Sequence, residues 1–321
     1  MTSPFRTARV SLVLLFVLLA ANLLMAQKVK RPEGDDLRPT GDHTTSVETM
    51  APVEPANRAV VQGNGINYHG GAVLHGNPVP IYAIFYGNWT NGTHASDSQT
   101  TVNLLDALLG AGGLGNSGYE KINSTYGDNA ANVSGNLQLS GQVFDTGSQG
   151  TSLTNTKLVS IVTRAINNGT LPKDPNGVYL VLTSSNVSER GFCTQFCGFH
   201  TTASIGGADI KWAFIGNPDR CPNACEAQTT SPNGDSGADG MADIISHETE
   251  EAISDPDLNA WFDANGEENA DKCNFNFGPT QTASNGSAFN QTLGGHNWLI
   301  QQNWENSRGG GCDQTLGGAF H

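Results

Sequence analysis

The chain has 321 residues, 37% of them hydrophobic and 14% charged, enough for one principal domain with a sizeable core. Its formal charge of -14 and pI near 4.8 repel polyanions, which excludes nucleic acid and anionic membrane surfaces as partners. A total of 16 Lys and Arg against 39 Gly fits an extracellular chain.

At the amino terminus, "MTSPFRTARVSLVLLFVLLAANLLMAQ" sets Arg6 and Arg9 before an apolar run from Val10 to Leu24, followed by Met25-Ala26-Gln27. Residues 1–26 read as a secretory signal peptide. The run falls short of the ~20 apolar residues of a spanning helix, so no membrane association is expected after cleavage. Residues 27–58 mix Pro, charge and Ser/Thr with almost no large apolar side chain, so they read as a disordered linker or propeptide. Residues 59–321 are expected to form the folded domain.

Within that domain the strand candidates are "VPIYAIFYGNW" (79–89), "NLQLSGQVF" (136–144), "VYLVLTSS" (178–185), "KWAFIGN" (211–217) and "HNWLIQQNW" (296–304). They are rich in β-branched and aromatic residues and bounded by turn residues. Three helix candidates alternate with them: "QTTVNLLDALLG", "TNTKLVSIVTRAINNG" and "GMADIISHETEEAISD". The second carries Leu158, Ile161, Val162 and Ile166 on one stripe and stops at Asn-Gly. The fold class is α/β (α+β), a mixed sheet with packed helices and long Gly/Asn-rich loops.

The third helix holds the chemistry. Its start is placed at Asp239-Gly240 and its stop at Asp255-Pro256, where proline disfavours helical geometry in the residue before it. "SHETEEAISDP" opens like the zinc-protease signature H-E-x-x-H but has Glu251 where the second histidine would stand. His247 and Glu251 are four apart, ~6 Å along one face, so both can reach one ion; Asp255 is ~12 Å up the same row and cannot share it. Glu248 sits one step round, where a general base would hold the proton of a bound water. A third ligand must return from "DANGEENADKCNF": Glu268 is favoured, with Asp271 as its supporting acceptor or the alternative ligand. On the motif alone a solvated acidic helix face is the blander reading. Yet Glu248, Glu250 and Glu251 crowd like charge into one turn, and no Lys or Arg occurs between Arg220 and Lys272. A cation resolves both facts.

Six cysteines behind a secretory signal point to disulfides rather than a zinc knuckle. The expected pairs are Cys193 with Cys197, Cys221 with Cys225, and Cys273 with Cys312, the last tying down the segment that supplies Glu268. Asp235, Asp239 and Asp243 hint at calcium but lack EF-hand spacing, so they read as a turn with a helix cap. His69, His75, His200 and His296 read as packed or surface residues, His296 being the one placed to polarise a substrate carbonyl.

The blocks "VPIYAIFYGNW", "VYLVLTSSNVSERGFCTQFCGFH", "KWAFIGNPDRCPNAC" and "SPNGDSGADGM" resemble the EXORDIUM or phosphate-induced protein family, secreted plant proteins linked to growth and found also in microbes. The likeness spans Gly70 to Cys312, and the block from Gly191 to His200 is its most specific part. Ser246 to Pro256 and Glu268 to Cys273 resemble the microbial branch, since plant members carry small and apolar residues at His247, Glu248 and Glu251. The order helix, strand, strand, H-E-x-x helix is also similar to the zincin fold, which raises the enzyme reading by analogy. Two functions are therefore carried forward. One is a secreted zinc peptidase-like hydrolase with metal on His247, Glu251 and Glu268 or Asp271, Glu248 as base, and a peptide or cell-wall-associated substrate. Manganese or calcium are the alternatives to zinc at so carboxylate-rich a site. The other is a non-catalytic extracellular or cell-wall binding protein with a structural ion or none. An open coordination site in a substrate-sized cleft favours the first; a closed, protein-ligated ion favours the second.

Overall fold

The computed structural model describes residues 65–89 and 97–320; the signal-peptide and linker segments read from the sequence lie outside them. Its frame is Val79–Tyr86 (β1), Gln99–Leu109 (α1), Leu137–Asp145 (β2), Asn155–Asn167 (α2), Val178–Thr183 (β3), Gly198–Ile205 (β4), Ala208–Ile215 (β5) and Ser236–Ser254 (α3). The chain is α/β, as expected. One five-stranded sheet runs in the order β2-β1-β3-β5-β4. Every neighbouring pair is parallel except β5 with β4.

The apolar content of each strand follows its place. Central β1 and β3 are buried almost throughout, while edge strand β2 alternates buried or half-buried with exposed positions. Parallel strands covered on both faces read as continuous apolar runs, and a half-solvated edge alternates. Each Val, Ile or Leu sealed in β1 and β3 contributes about 1.5–3 kcal/mol of transfer free energy. The sequence did not mark β4. It pairs with β5 through the two-residue turn Gly206-Gly207, whose positive φ values of 57° and 79° suit a hairpin turn.

Helix α3 lies across β4, β5 and β3 and against α1. It begins at Ser236, earlier than the sequence suggested, because Asp235 rather than Asp239 is the cap: its side chain accepts from Ala238 N at 2.9 Å. Asp235 therefore serves the turn-and-cap role rather than a calcium loop. At the other end Asp255 Oδ1 accepts from the backbone N–H groups of Asn259 and Ala260, both at 2.6 Å. From Gly237 to Ser254 the helix is buried all round. The solvated acidic face is thus replaced by a sealed one. Surrounding segments close on it: Leu74 N donates to Ile253 O (3.0 Å), and Asn123 Nδ2 to Glu250 O (2.9 Å).

After α3 the chain forms short hairpins, and the strand expected over 296–304 is divided between two of them, His296–Trp298 and Asn303–Glu305. Between these pieces the backbone leaves the ladder to serve α3. Gln301 N donates to Asp243 Oδ1 at 2.7 Å, and Gln301 Nε2 to Ala270 O at 2.8 Å.

All six cysteines are bridged, and Cys273–Cys312 is the pair expected. The other two correct the local pairing: they are Cys193–Cys221 and Cys197–Cys225, each spanning 28 residues. The reason is directional. Cys221 and Cys225 stand one turn apart on the segment that includes the short helix Pro222–Cys225, so their side chains point the same way rather than at each other. A parallel partner segment with the same spacing satisfies both.

Candidate metal centre

Three parts of the chain meet beside the middle of α3. The helix presents His247 and Glu251 one turn apart, with His247 Nε2 3.2 Å from Glu251 Oε1. The loop after Asp263 turns through the single 3-10 turn Asp271–Cys273, which the Cys273–Cys312 bridge anchors. Asp271 Oδ1 comes to 3.6 Å from His247 Nε2, and the Asp271 backbone N–H donates to Glu251 Oε1 at 3.0 Å. Glu268 N in turn donates to Asp271 Oδ2 at 3.1 Å, which fixes that carboxylate. Strand β4 supplies His200, whose Nε2 lies 3.1 Å from Glu268 Oε2 and 3.8 Å from Glu251 Oε2.

The five donors form two triads, His247–Glu251–Asp271 and His200–Glu251–Glu268, each with its atoms within 4.8 Å of one another. Two ligand atoms ~2.1 Å from one ion at a tetrahedral angle lie about 3.4 Å apart. The separations of 3.1, 3.2, 3.6 and 3.8 Å straddle that value. Neither ring nitrogen of His247 makes a hydrogen bond of good geometry, although carboxylate oxygens flank it. The side chains of His200, His247, Glu251 and Glu268 are 0% exposed, and that of Asp271 is 7% exposed.

The electrostatics agree. Burial pulls the His247 imidazolium down, but Glu251, Asp271 and Glu248 together outweigh it and hold His247 well above the ordinary histidine range. Burial and Glu268 push the Asp255 carboxyl up to about 8, against the backbone N–H groups it accepts from and the nearby His200. The buried carboxylates therefore favour positive charge at this place. Lys272, beside Asp271 in sequence, is directed to Asp263 Oδ2 at 3.0 Å.

The structure thus brings His247 and Glu251 together with both loop candidates, and divides the latter: Asp271 joins His247, and Glu268 joins His200. Asp255 serves the turn after the helix. Glu248 belongs to neither triad. It is wholly buried, and its Oε1 would lie 2.7 Å from a Cβ placed on Gly198, so it packs against the start of β4. His296 is in neither triad; it lies on the hairpin strand His296–Trp298 with its ring 6.0 Å from that of Trp298. His200, expected as a packed or surface residue, is buried with Glu268 and Glu251 beside its Nε2.

Residues 66–308 match the family model described as Phosphate-induced protein 1 conserved region. The chain belongs to this family. Among its relatives, Protein EXORDIUM-like 5 of Arabidopsis thaliana is 33% identical over 61% of this chain and 59% of its own length. Protein EXORDIUM-like 3 of the same plant is 33% identical over 61% and 64%, and Protein PHOSPHATE-INDUCED 1 of Nicotiana tabacum 28% identical over 55% and 60%. The chain therefore spans less than two thirds of the length of these curated relatives. No solved structure matches it. The phosphate-induced region includes every donor of both triads, from His200 to Asp271. A signal for His200 was present in the sequence: it closes the Gly191–His200 block that carries the family likeness most specifically.

Proposed function

We propose that this phosphate-induced family member, of the microbial type that carries an H-E-x-x-E helix, is a secreted metalloprotein. Its divalent ion, zinc before manganese or calcium, has a structural role in an extracellular or cell-wall binding protein. His247, Glu251 and Asp271 would hold the ion. The observation that carries this reading is burial: four donors are fully enclosed and the fifth nearly so. A hydrolytic centre must be reached by water and substrate, and these donors lie almost wholly out of solvent. When bound, the ion neutralises carboxylates that burial would otherwise make costly. The chain's own residues then do the rest: Asp271 N and Glu268 N orient the carboxylates, and the Cys273–Cys312 bridge holds their loop.

A peptide hydrolase is the second reading, and two features favour it. Glu248 adjoins His247 on the helix, and β4 is an edge strand that an extended peptide could join by backbone hydrogen bonds. In that case Glu248 would take the proton from water.

One set of measurements separates them. Metal analysis of the secreted protein should find at least one ion per chain, its count lowered in His247→Ala and unchanged in Glu248→Gln. Chelation should lower Tm on the order of 10 °C, as expected for loss of a ligand at about a thousand times its Kd. No turnover is expected across a broad peptide library. A metal-free wild type ends the metalloprotein reading. Wild-type cleavage that Glu248→Gln abolishes while the ion stays bound replaces the binding protein with the hydrolase.

A further inference from the structure

We propose a second cation position, formed by His200 of β4, Glu251 of α3 and Glu268 of the following loop, and joined to the first through Glu251 as a bridging carboxylate. It rests on the metal reading above and deepens it: the centre is built for a pair of divalent ions.

The two oxygens of Glu251 face different partners. Oε1 is directed to His247 and to the Asp271 N–H, at 3.2 and 3.0 Å, while Oε2 is the oxygen turned toward His200. A carboxylate divided in this way between two imidazoles is placed to link two ions, which in two-metal sites stand ~3.5–4 Å apart. A plain hydrogen bond accounts for His200 and Glu268 at 3.1 Å. It does not account for Glu251 Oε2 completing a triad with them.

A further carboxylate feels the same groups. Asp255 Oδ2 is buried and makes no hydrogen bond, although its sister oxygen accepts two, and Glu268 and His200 are charged groups that act on this carboxyl. A cation beside His200 and Glu268 would offset its charge as well.

Charge counting favours two ions over one. Glu251, Glu268 and Asp271 lie in the cluster and Glu248 and Asp255 act on it, while Lys272 is directed to Asp263, and Lys211 to Asp209 and Asp257 at 2.9 and 3.2 Å. Two divalent ions offset four of these five carboxylate charges; one leaves a larger buried excess of negative charge. One imidazole and two carboxylates per ion suit zinc or manganese.

The full secreted chain, stripped of metal and titrated with Zn2+ or Mn2+ alone, decides the matter. About two ions should bind per chain, and the manganese form should show the exchange-coupled electron paramagnetic resonance of a close pair. His200→Gln should reduce the count to one and abolish the coupling, while His247→Gln should leave the other ion. Saturation at one ion, or uncoupled manganese in the wild type, overturns the second position and leaves the first standing. A chain that binds none overturns both. The wild-type count and spectrum need no variant to fold.

Discussion

Glu226 shows what a single buried carboxyl does to this molecule. It is 2% exposed, and burial first, then Asp219, Asp239 and Asp235, push its pKa up to about 8. The native state therefore holds a proton that the unfolded chain, with an ordinary carboxylate, releases near pH 4.5. Between those two values the native state binds more protons, so stability falls as pH rises through the window. Glu226→Gln keeps a neutral amide at the same place and removes that slope. Its Tm relative to wild type should climb steadily from pH 5 to pH 8. Parallel Tm curves for the two proteins would show that Glu226 does not titrate in this way. Asp239, also pushed up to about 7, adds a slope of the same sign in both proteins.

At the scale of elements, the contact that positions the centre is β4 against α3, and Gly198 sets its distance. A Cβ there would meet Ile244 Cγ2 at 2.5 Å, Glu248 Oε1 at 2.7 Å and Phe214 O at 2.9 Å. Gly198→Ala should cost about 1–3 kcal/mol, the usual range for an overpacked core, and should weaken metal retention because His200 is two residues along the strand. Denaturant unfolding beside a metal titration checks it; a variant of wild-type stability would mean that the helix and strand can separate freely. Much of this geometry was legible in advance. The i, i+4 spacing fixed His247 and Glu251 on one face, and Asp255-Pro256 marked the helix end. β4 was not legible, because "GFHTTASI" mixes small and polar residues without alternation and begins inside the cysteine block. With the strand hidden, His200 had no direction, and only the return of the chain after Asp255-Pro256 pointed to Glu268. The disulfide exchange escaped for a similar reason: equal three-residue spacers allow local and crossed pairings alike, and only the run of the backbone chooses between them.

For the whole molecule, Glu251 joins segments far apart in the chain: β4 at residue 200, the helix, and the loop at residues 268–271. Contacts of such sequence separation form only after long loops have closed, and loop closure is what slows folding. The cradle is then absent from the unfolded chain and incomplete at the rate-limiting barrier. An ion that binds only the finished cradle stabilises the native state without lowering that barrier. Chevron measurements with and without saturating Zn2+ should superimpose on the refolding limb and separate on the unfolding limb, where the metal form is slower. A faster refolding limb would place the cradle in the folding nucleus instead. Loaded with the proposed ions, the centre would act on persistence rather than on assembly: a chain already folded would outlast heat and proteases for as long as they remain, and its lifetime would be set by how fast they leave.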